Sequence, residues 1–390
     1  MSGKSIVIVG GGPAGYTTAL QLATKLSLAP PSQRHSITLI DARPYSIYLP
    51  AAARFTTTSE GHLEDTALLP YDPLFSKATK SDGVDGKVKL GRVTRIEQGD
   101  GKGTEGGEVV LESGERVKYD VLVLSPGCSW AGPLDFPDSE EGVKAHIGAW
   151  RKKFEAAKGV ILVGGGSVGI EYAGELKDFF PDKKVTIAHN SSMLLNPTYS
   201  DKGRRQIERD LRVRGVDIIF DDRVDDVDTS GNTSGTVKTR AGKVVEGDLI
   251  VPTYGARPAT SFVASLGSDI LNSFGQIKVN ANLRLPSFAN IFALGDAIDW
   301  NEQKQMAKYA AHSDVVAANV LDYLDNKAPS KQYKGSRELI VITNGRNGGM
   351  GSFTLFFGWR LVLGAWFASL VKSRTLMISI VRKRWGLDAK

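Results

Sequence analysis

Two stretches of this chain share one glycine spacing. Gly10-x-Gly12-x-x-Gly15 lies within VIVGGGPAGYTTAL, and Gly164-x-Gly166-x-x-Gly169 within ILVGGGSVGIEYAGEL. In that spacing the first glycine permits a tight turn and the second lets a pyrophosphate approach the backbone. The third lets the next helix pack close to the preceding strand, with its N-terminus toward the phosphates. The chemistry on offer is dinucleotide binding, twice. Asp41 stands where an acid can bind both hydroxyls of an adenosine ribose at the first loop. At the second loop the acid is missing, and His189 stands 20 residues after Gly169 in its place. A 2′-phosphate is not repelled there, and His189, Asn190 or Ser191 can donate to it. The second site therefore reads as tolerant of either nicotinamide cofactor. The plainer reading of His189 is a surface histidine at a strand end.

The elements that must hold these residues are readable around them. Ser5 to Val9 (SIVIV) is a short β-branched run suited to a buried parallel strand. A helical pattern from Tyr16 to Leu26 follows the first loop, and a second strand, Ile37 to Ile40, leads into Asp41. The insert LAPPSQRHS between helix and strand reads as a surface loop. The second loop repeats the unit: strand Gly159 to Val163, a helix from Val168 to about Phe179, and strand Lys184 to Ala188. Strand, loop and helix together are the context the motif demands.

Composition narrows the chemistry further. The 390 residues are 41% hydrophobic and 24% charged, which suits a soluble globular chain of two or three domains. Cys128 is the single cysteine, so no disulfide framework and no CxxC redox pair is possible, and a reducing compartment fits. The five histidines are far apart, and no metal site is expected. The net charge is +6, and Val371 to Lys390 holds six cations against one acid. The rest of the chain is near neutral, which argues against a general nucleic-acid surface. No secretory signal opens the sequence, and Ser2 replaces the glycine that N-myristoylation requires. Two dinucleotide sites in one chain point to a resident flavin in one and a transient nicotinamide in the other.

Further stretches carry a resemblance. NIFALGDAID (Asn290 to Asp299), VLVLSPGC (Val121 to Cys128), LIVPTYGARPAT (Leu249 to Thr260), YLPAAARF (Tyr48 to Phe55) and QKQMAKYAAHSDVVAANV (Gln303 to Val320) resemble segments of the two-dinucleotide-binding flavoprotein reductases. The tail VKSRTLMISIVRKRWG is similar to that of the apoptosis-inducing-factor homologues of the mitochondrion-associated, ferroptosis-suppressor type, with type II NADH dehydrogenases as more distant relatives. The resemblance implies an α/β fold with two Rossmann-like domains and a small C-terminal α+β cap. A split FAD domain would take residues 1–130 and 250–330, an NAD(P)H domain 131–249, and the cap 331–390. It implies that Asp296, with Gly295, holds the ribityl and pyrophosphate portion of FAD, and that Arg54 approaches the flavin. Gly127 and Gly255 would lie in the two chain-crossing segments, the first departing from the family pattern as Ser125-Pro126-Gly127.

NADH or NADPH would then pass a hydride from C4 of the nicotinamide to N5 of the flavin, chiefly through positioning. Glu171 and Glu175 fall on one face of the second helix. Glu171 is the candidate catalytic residue, placed to orient the nicotinamide or relay a proton, and a solvated carboxylate is the plainer reading. Without a cysteine pair the acceptor must come from outside, and a quinone is the leading expectation. A DNA- or partner-binding effector and a reductase of a small electron-transfer protein are the alternatives. The apolar stretch Phe353 to Val371, interrupted by Arg360, reads as a folded strand-plus-helix cap rather than a span. The basic tail, interleaved with Leu376, Met377, Ile378, Ile380, Val381 and Trp385, suits anionic lipid headgroups, and a plain solvated helix packed on the cap is the other reading. The expected location is intracellular, cytoplasmic with peripheral membrane contact; a mitochondrial or lipid-droplet surface and the oligomeric state stay open.

Overall fold

The computed structural model describes residues 3–27, 34–76, 84–99, 106–225, 227, 236–354 and 359–388. Most of the insert after Leu26, residues 355–358 of the apolar stretch and Lys390 lie outside the described residues.

Two parallel sheets carry the chain, each built outward from a glycine-loop strand. In the first, Ser5–Val9 lies between His35–Asp41 and Val121–Leu124, with Val84–Leu90 and Ile291–Ala293 at the edges. In the second, Gly159–Val163 lies between Lys184–Ala188 and Leu249–Pro252, with Val216–Ile219 beyond. Apolar runs without alternation, such as GVILV and VLVL, are buried along their whole length, as strands covered on both faces must be. The strand Ile291–Ala293 joins the first sheet although it follows the second in sequence. The half built on the first sheet is therefore discontinuous in the chain.

Six helices matter below: α1 (Pro13–Leu26), α2 (Ala52–Thr57), α3 (Ser167–Phe179), α4 (Tyr309–Leu324), α5 (Ala365–Ala368) and α6 (Ile378–Arg384). α1 and α3 follow the two glycine loops. α4 packs against α1 through Thr18, whose Oγ1 donates to Ser313 Oγ at 3.0 Å.

The C-terminal region is a three-stranded antiparallel sheet, Leu339–Asn344, Gly348–Thr354 and Arg360–Leu363, followed by α5, a π-turn over Ser369–Ser373, and α6. This is the strand-plus-helix cap, and no described helix is long and apolar enough to cross a membrane. The tail differs from expectation in where its apolar side chains point. Leu376, Ile378, Val381 and Trp385 are buried against the first half, and Met377 is half-buried. Trp385 stacks on Tyr16 of α1, with ring centroids 3.7 Å apart, and the Tyr16 hydroxyl donates to the Trp385 carbonyl at 2.7 Å. Tyr48 donates to the Leu376 carbonyl at 2.9 Å. These residues fill a gap in the protein core, so they are not a lipid-facing stripe; of the interleaved set only Ile380 is exposed.

Candidate functional site

The two glycine loops match bond for bond. Gly10 N–H donates to the Ile40 carbonyl at 2.8 Å, and Gly164 N–H to the Ala188 carbonyl at 2.9 Å, tying each loop to its neighbouring strand. A Cβ on Gly15 would collide with the Gly10 carbonyl, and one on Gly169 with the Gly164 carbonyl. Gly10 and Gly164 adopt φ of 100° and 123°, values open to glycine. Ser125 Oγ donates to the Gly10 carbonyl and Thr253 Oγ1 to the Gly164 carbonyl, both at 2.9 Å. These two hydroxyls went unnoticed in the sequence, although each directly follows its crossing strand, VLVL-Ser and LIVP-Thr.

The loops leave room where a phosphate must pass. Nothing stands within 4 Å of a Cβ position on Gly12 or Gly166, the N-cap residues of α1 and α3. Neither helix has a side-chain cap, so first-turn N–H groups are left for a ligand. Gly127 and Gly255 are likewise open on their Cβ side. The donor set therefore suits a dinucleotide at each loop.

Each loop's middle glycine is bound by the residue at the end of the second strand. Gly11 N–H donates to Asp41 Oδ2 at 2.6 Å, and Gly165 N–H to His189 Nδ1 at 3.1 Å. Burial raises the Asp41 carboxyl, opposed by N–H bonds from Arg43 and Gly11. Burial lowers the His189 imidazole, so a neutral ring occupies the position that Asp41 fills in the first unit.

Asp296 accepts from the Tyr309 hydroxyl at 2.5 Å, and burial raises its carboxyl. Beside it, Gly295 N–H donates to His312 Nδ1 at 3.2 Å, so the ring's proton sits on Nε2, 2.9 Å from Glu302 Oε1. Burial would raise Glu302, but hydrogen bonds from His312 and Tyr333 and the charge of Lys308 outweigh it and hold the carboxyl at about 2. Glu302 and His312 brace the Gly295-Asp296 turn. The sequence offered no sign of this, because Glu302 lies in a loop and His312 is a lone histidine on a helix.

Arg54 does not stand alone facing a cofactor. It forms a buried fork with Glu175, Nε to Oε2 at 2.8 Å and Nη2 to Oε1 at 2.9 Å, and donates to the carbonyls of Ser373 and Arg374. One guanidinium thus joins α2, α3 and the cap. Glu171, one turn earlier on α3, accepts from Lys372 Nζ at 2.7 Å and from Thr343 N–H at 3.3 Å. Lys372 also donates to the Val341 carbonyl at 3.0 Å. Lys372 had gone unassigned as one cation of a basic tail. Cys128 is half-buried, its thiol pushed up to about 12 by burial.

Comparison with known proteins places this geometry. Residues 4–313 match the family described as pyridine nucleotide-disulphide oxidoreductase. A protein of Flammulina velutipes named FAD-dependent oxidoreductase FVFD30 is 44% identical over 324 residues, covering 83% of this chain and 97% of its own length. Ferroptosis suppressor protein 1 of Xenopus tropicalis is 30% identical over 393 residues, covering 98% and 96%. The sulfide:quinone oxidoreductase of Aquifex aeolicus superposes with a TM-score of 0.76 at 18% identity, over 99% of this chain and 93% of that one. The last likeness speaks for the fold. The chain belongs to the pyridine nucleotide-disulphide oxidoreductase family and is an FAD-dependent enzyme that uses NAD(P)H.

Proposed function

We propose that the chain is an NAD(P)H:quinone-type oxidoreductase, peripherally associated with an intracellular membrane. The flavin domain is residues 1–130 with 250–330, the nicotinamide domain 131–249 and the cap 331–390. Bound FAD supplies the two-electron redox chemistry. The protein's part is to hold the first dinucleotide at Gly10, Gly12, Gly15, Asp41, Gly127 and Asp296, and the second at Gly164, Gly166, Gly169, His189 and Gly255.

The observation that carries an external acceptor is Cys128. It is the only cysteine and a half-buried thiol, so the chain has no disulfide of its own to reduce. A quinone needs a proton as well as a hydride: NAD(P)H, H⁺ and quinone give NAD(P)⁺ and quinol. Lys372 and Glu171 form the ion pair suited to that duty. Glu171 holds the ammonium on Nζ, Lys372 releases the proton, and the pair is recharged from solvent. The Aquifex aeolicus neighbour, named for a quinone, supports such an acceptor on this fold.

The test is anaerobic bleaching of the visible spectrum by NADH and NADPH, followed by reoxidation with a water-soluble quinone. Lys372→Met is expected to bleach normally and to reoxidise with quinone about 100-fold more slowly. Wild-type protein that bleaches but reoxidises no faster with quinone than without it refutes the quinone reading.

A further inference from the structure

The cap exposes an apolar face that the reaction does not use. Trp359 is 76% exposed, Leu361 42%, Trp366 68% and Leu370 72%. The other large exposed apolar residues described, such as Leu90, Val213 and Phe274, are scattered along the chain. Trp359 and Leu361 are two apart around the start of the edge strand, and so share a side. Trp366 and Leu370 are four apart across α5 and the π-turn, and so share a face. Aromatic rings join the two pairs. Leu361 is paired in register with Phe353, the Phe353 ring lies 5.5 Å from that of Phe367, and Phe367 lies 5.8 Å from Trp366.

The cap's own segment carries charge of one sign. From Leu339 to Leu387 the sequence holds seven cations and no acid. Three have partners: Arg346 pairs with Glu60 at the surface, Lys372 with Glu171, and Arg382 with backbone carbonyls. Arg360, Arg374, Lys383 and Arg384 are exposed and form no ion pair among the described residues.

We propose that this face of the cap, not the tail, docks the enzyme on an anionic lipid bilayer. Trp359, Leu361, Trp366 and Leu370 enter the interface, while the four free cations meet the headgroups. Exposed tryptophans beside unpaired cations are what a headgroup region accommodates, and a second copy of the chain would bring like charges together. The proposal deepens the membrane reading above. It is separable from that reading's chemistry, because the side chains of these residues make no hydrogen bond or ion pair with the glycine loops or with Lys372 among the described residues.

The experiment is co-sedimentation of the full FAD-loaded chain with vesicles of phosphatidylcholine, with and without phosphatidylserine. Binding is expected only with the anionic lipid, accompanied by a blue shift of tryptophan emission. Trp359→Ser and Trp366→Ser should each weaken it about tenfold, and Arg360→Gln and Lys383→Gln about fivefold each. All four should keep wild-type flavin absorbance and wild-type turnover of a water-soluble quinone, which separates a lost surface from a lost fold. Equal binding by the tryptophan variants, absence of wild-type binding, or a dimer abolished by Trp366→Ser without any vesicle binding would each overturn the proposal.

Discussion

The first and second glycine loops are built on the same bonds and end on different chemistry. Each has a left-handed first glycine, a third glycine packed on the first one's carbonyl, and a hydroxyl from the crossing segment closing the turn. They part at the residue that ends the second strand. Asp41 is a half-buried acid and His189 a half-buried neutral base, yet both accept the N–H of the loop's middle glycine. The shared bonds belong to the turn, and the residue that receives them is free to choose the ligand. The surroundings differ too. The first loop is covered by Tyr71, and its site is braced by Glu302, His312 and the tail's Trp385. At the second loop His189 and Leu194 press on Gly165. A resident cofactor suits the first arrangement and an exchanging one the second.

The largest test of that division is steric. Gly15→Val drives a side chain into the Gly10 carbonyl and should yield colourless protein that takes up no FAD. Gly169→Val makes the same collision in the second unit. It should leave the protein yellow and slow bleaching by NADH at least about 100-fold, equivalent to about 3 kcal/mol of overpacking. Visible spectra and anaerobic stopped-flow read both outcomes, and loss of colour in Gly169→Val would show that the units do not fold separately.

The next effect concerns what joins the units. Arg54 and Glu175 are both buried, so removing one partner strands a charge. Glu175→Leu should cost about 3–5 kcal/mol in chemical denaturation, whereas the double variant Arg54→Met with Glu175→Leu should cost far less. Equal losses in the two would mean that Arg54 without Glu175 is not a stranded charge.

Exchange of the ribose residue comes third. His189→Asp installs the first loop's chemistry in the second. It should weaken 2′,5′-ADP by about 10–100-fold while leaving ADP within a few-fold, because a carboxylate repels the 2′-phosphate. Calorimetry on the oxidised protein measures both ligands without turnover.

The two strand–loop–helix–strand units were legible because they are local and set by residue type. Gly11 meets Asp41 over 30 positions, inside one strand–helix–strand unit, and the spacing of glycines and β-branched runs announces that unit. The joints between units were not legible. Arg54 and Glu175 are 121 residues apart, Glu171 and Lys372 are 201 apart, and Tyr16 and the Trp385 carbonyl are 369 apart. An arginine in a loop, a glutamate on a helix and a lysine in a basic tail look the same in sequence whether solvated or paired. Only packing of the cap against both halves distinguishes them. The tail is ambiguous in sequence for the same reason. Its apolar spacing fits a membrane face and a docked helix equally, and the choice rests on the gap that Tyr16 and Tyr48 leave for it.

Acid should separate the two sites at different pH. Burial lowers His189 below its ordinary 6.5. The folded state then holds fewer protons there than the unfolded state, and the penalty sets in as pH falls below 6.5. Protonation also places a hydrogen on Nδ1, facing the Gly165 N–H, so two donors meet where one bond had closed the loop. Glu302 runs the other way. Its folded value of about 2 against an ordinary 4.5 gives stability that is complete above 4.5 and lost as pH falls toward 2. On acidification, ADP binding at the second site should therefore weaken first, while flavin release, read by the rise of free-flavin fluorescence, should wait until pH is below 4.5. His35 and His146 are also lowered by burial, so His189→Asn is the control. It keeps a side-chain acceptor for Gly165, cannot take up a proton, and should remove the early loss without moving the late one. An early loss that persists in His189→Asn would assign it to one of the other histidines and show that the second loop does not depend on a neutral ring.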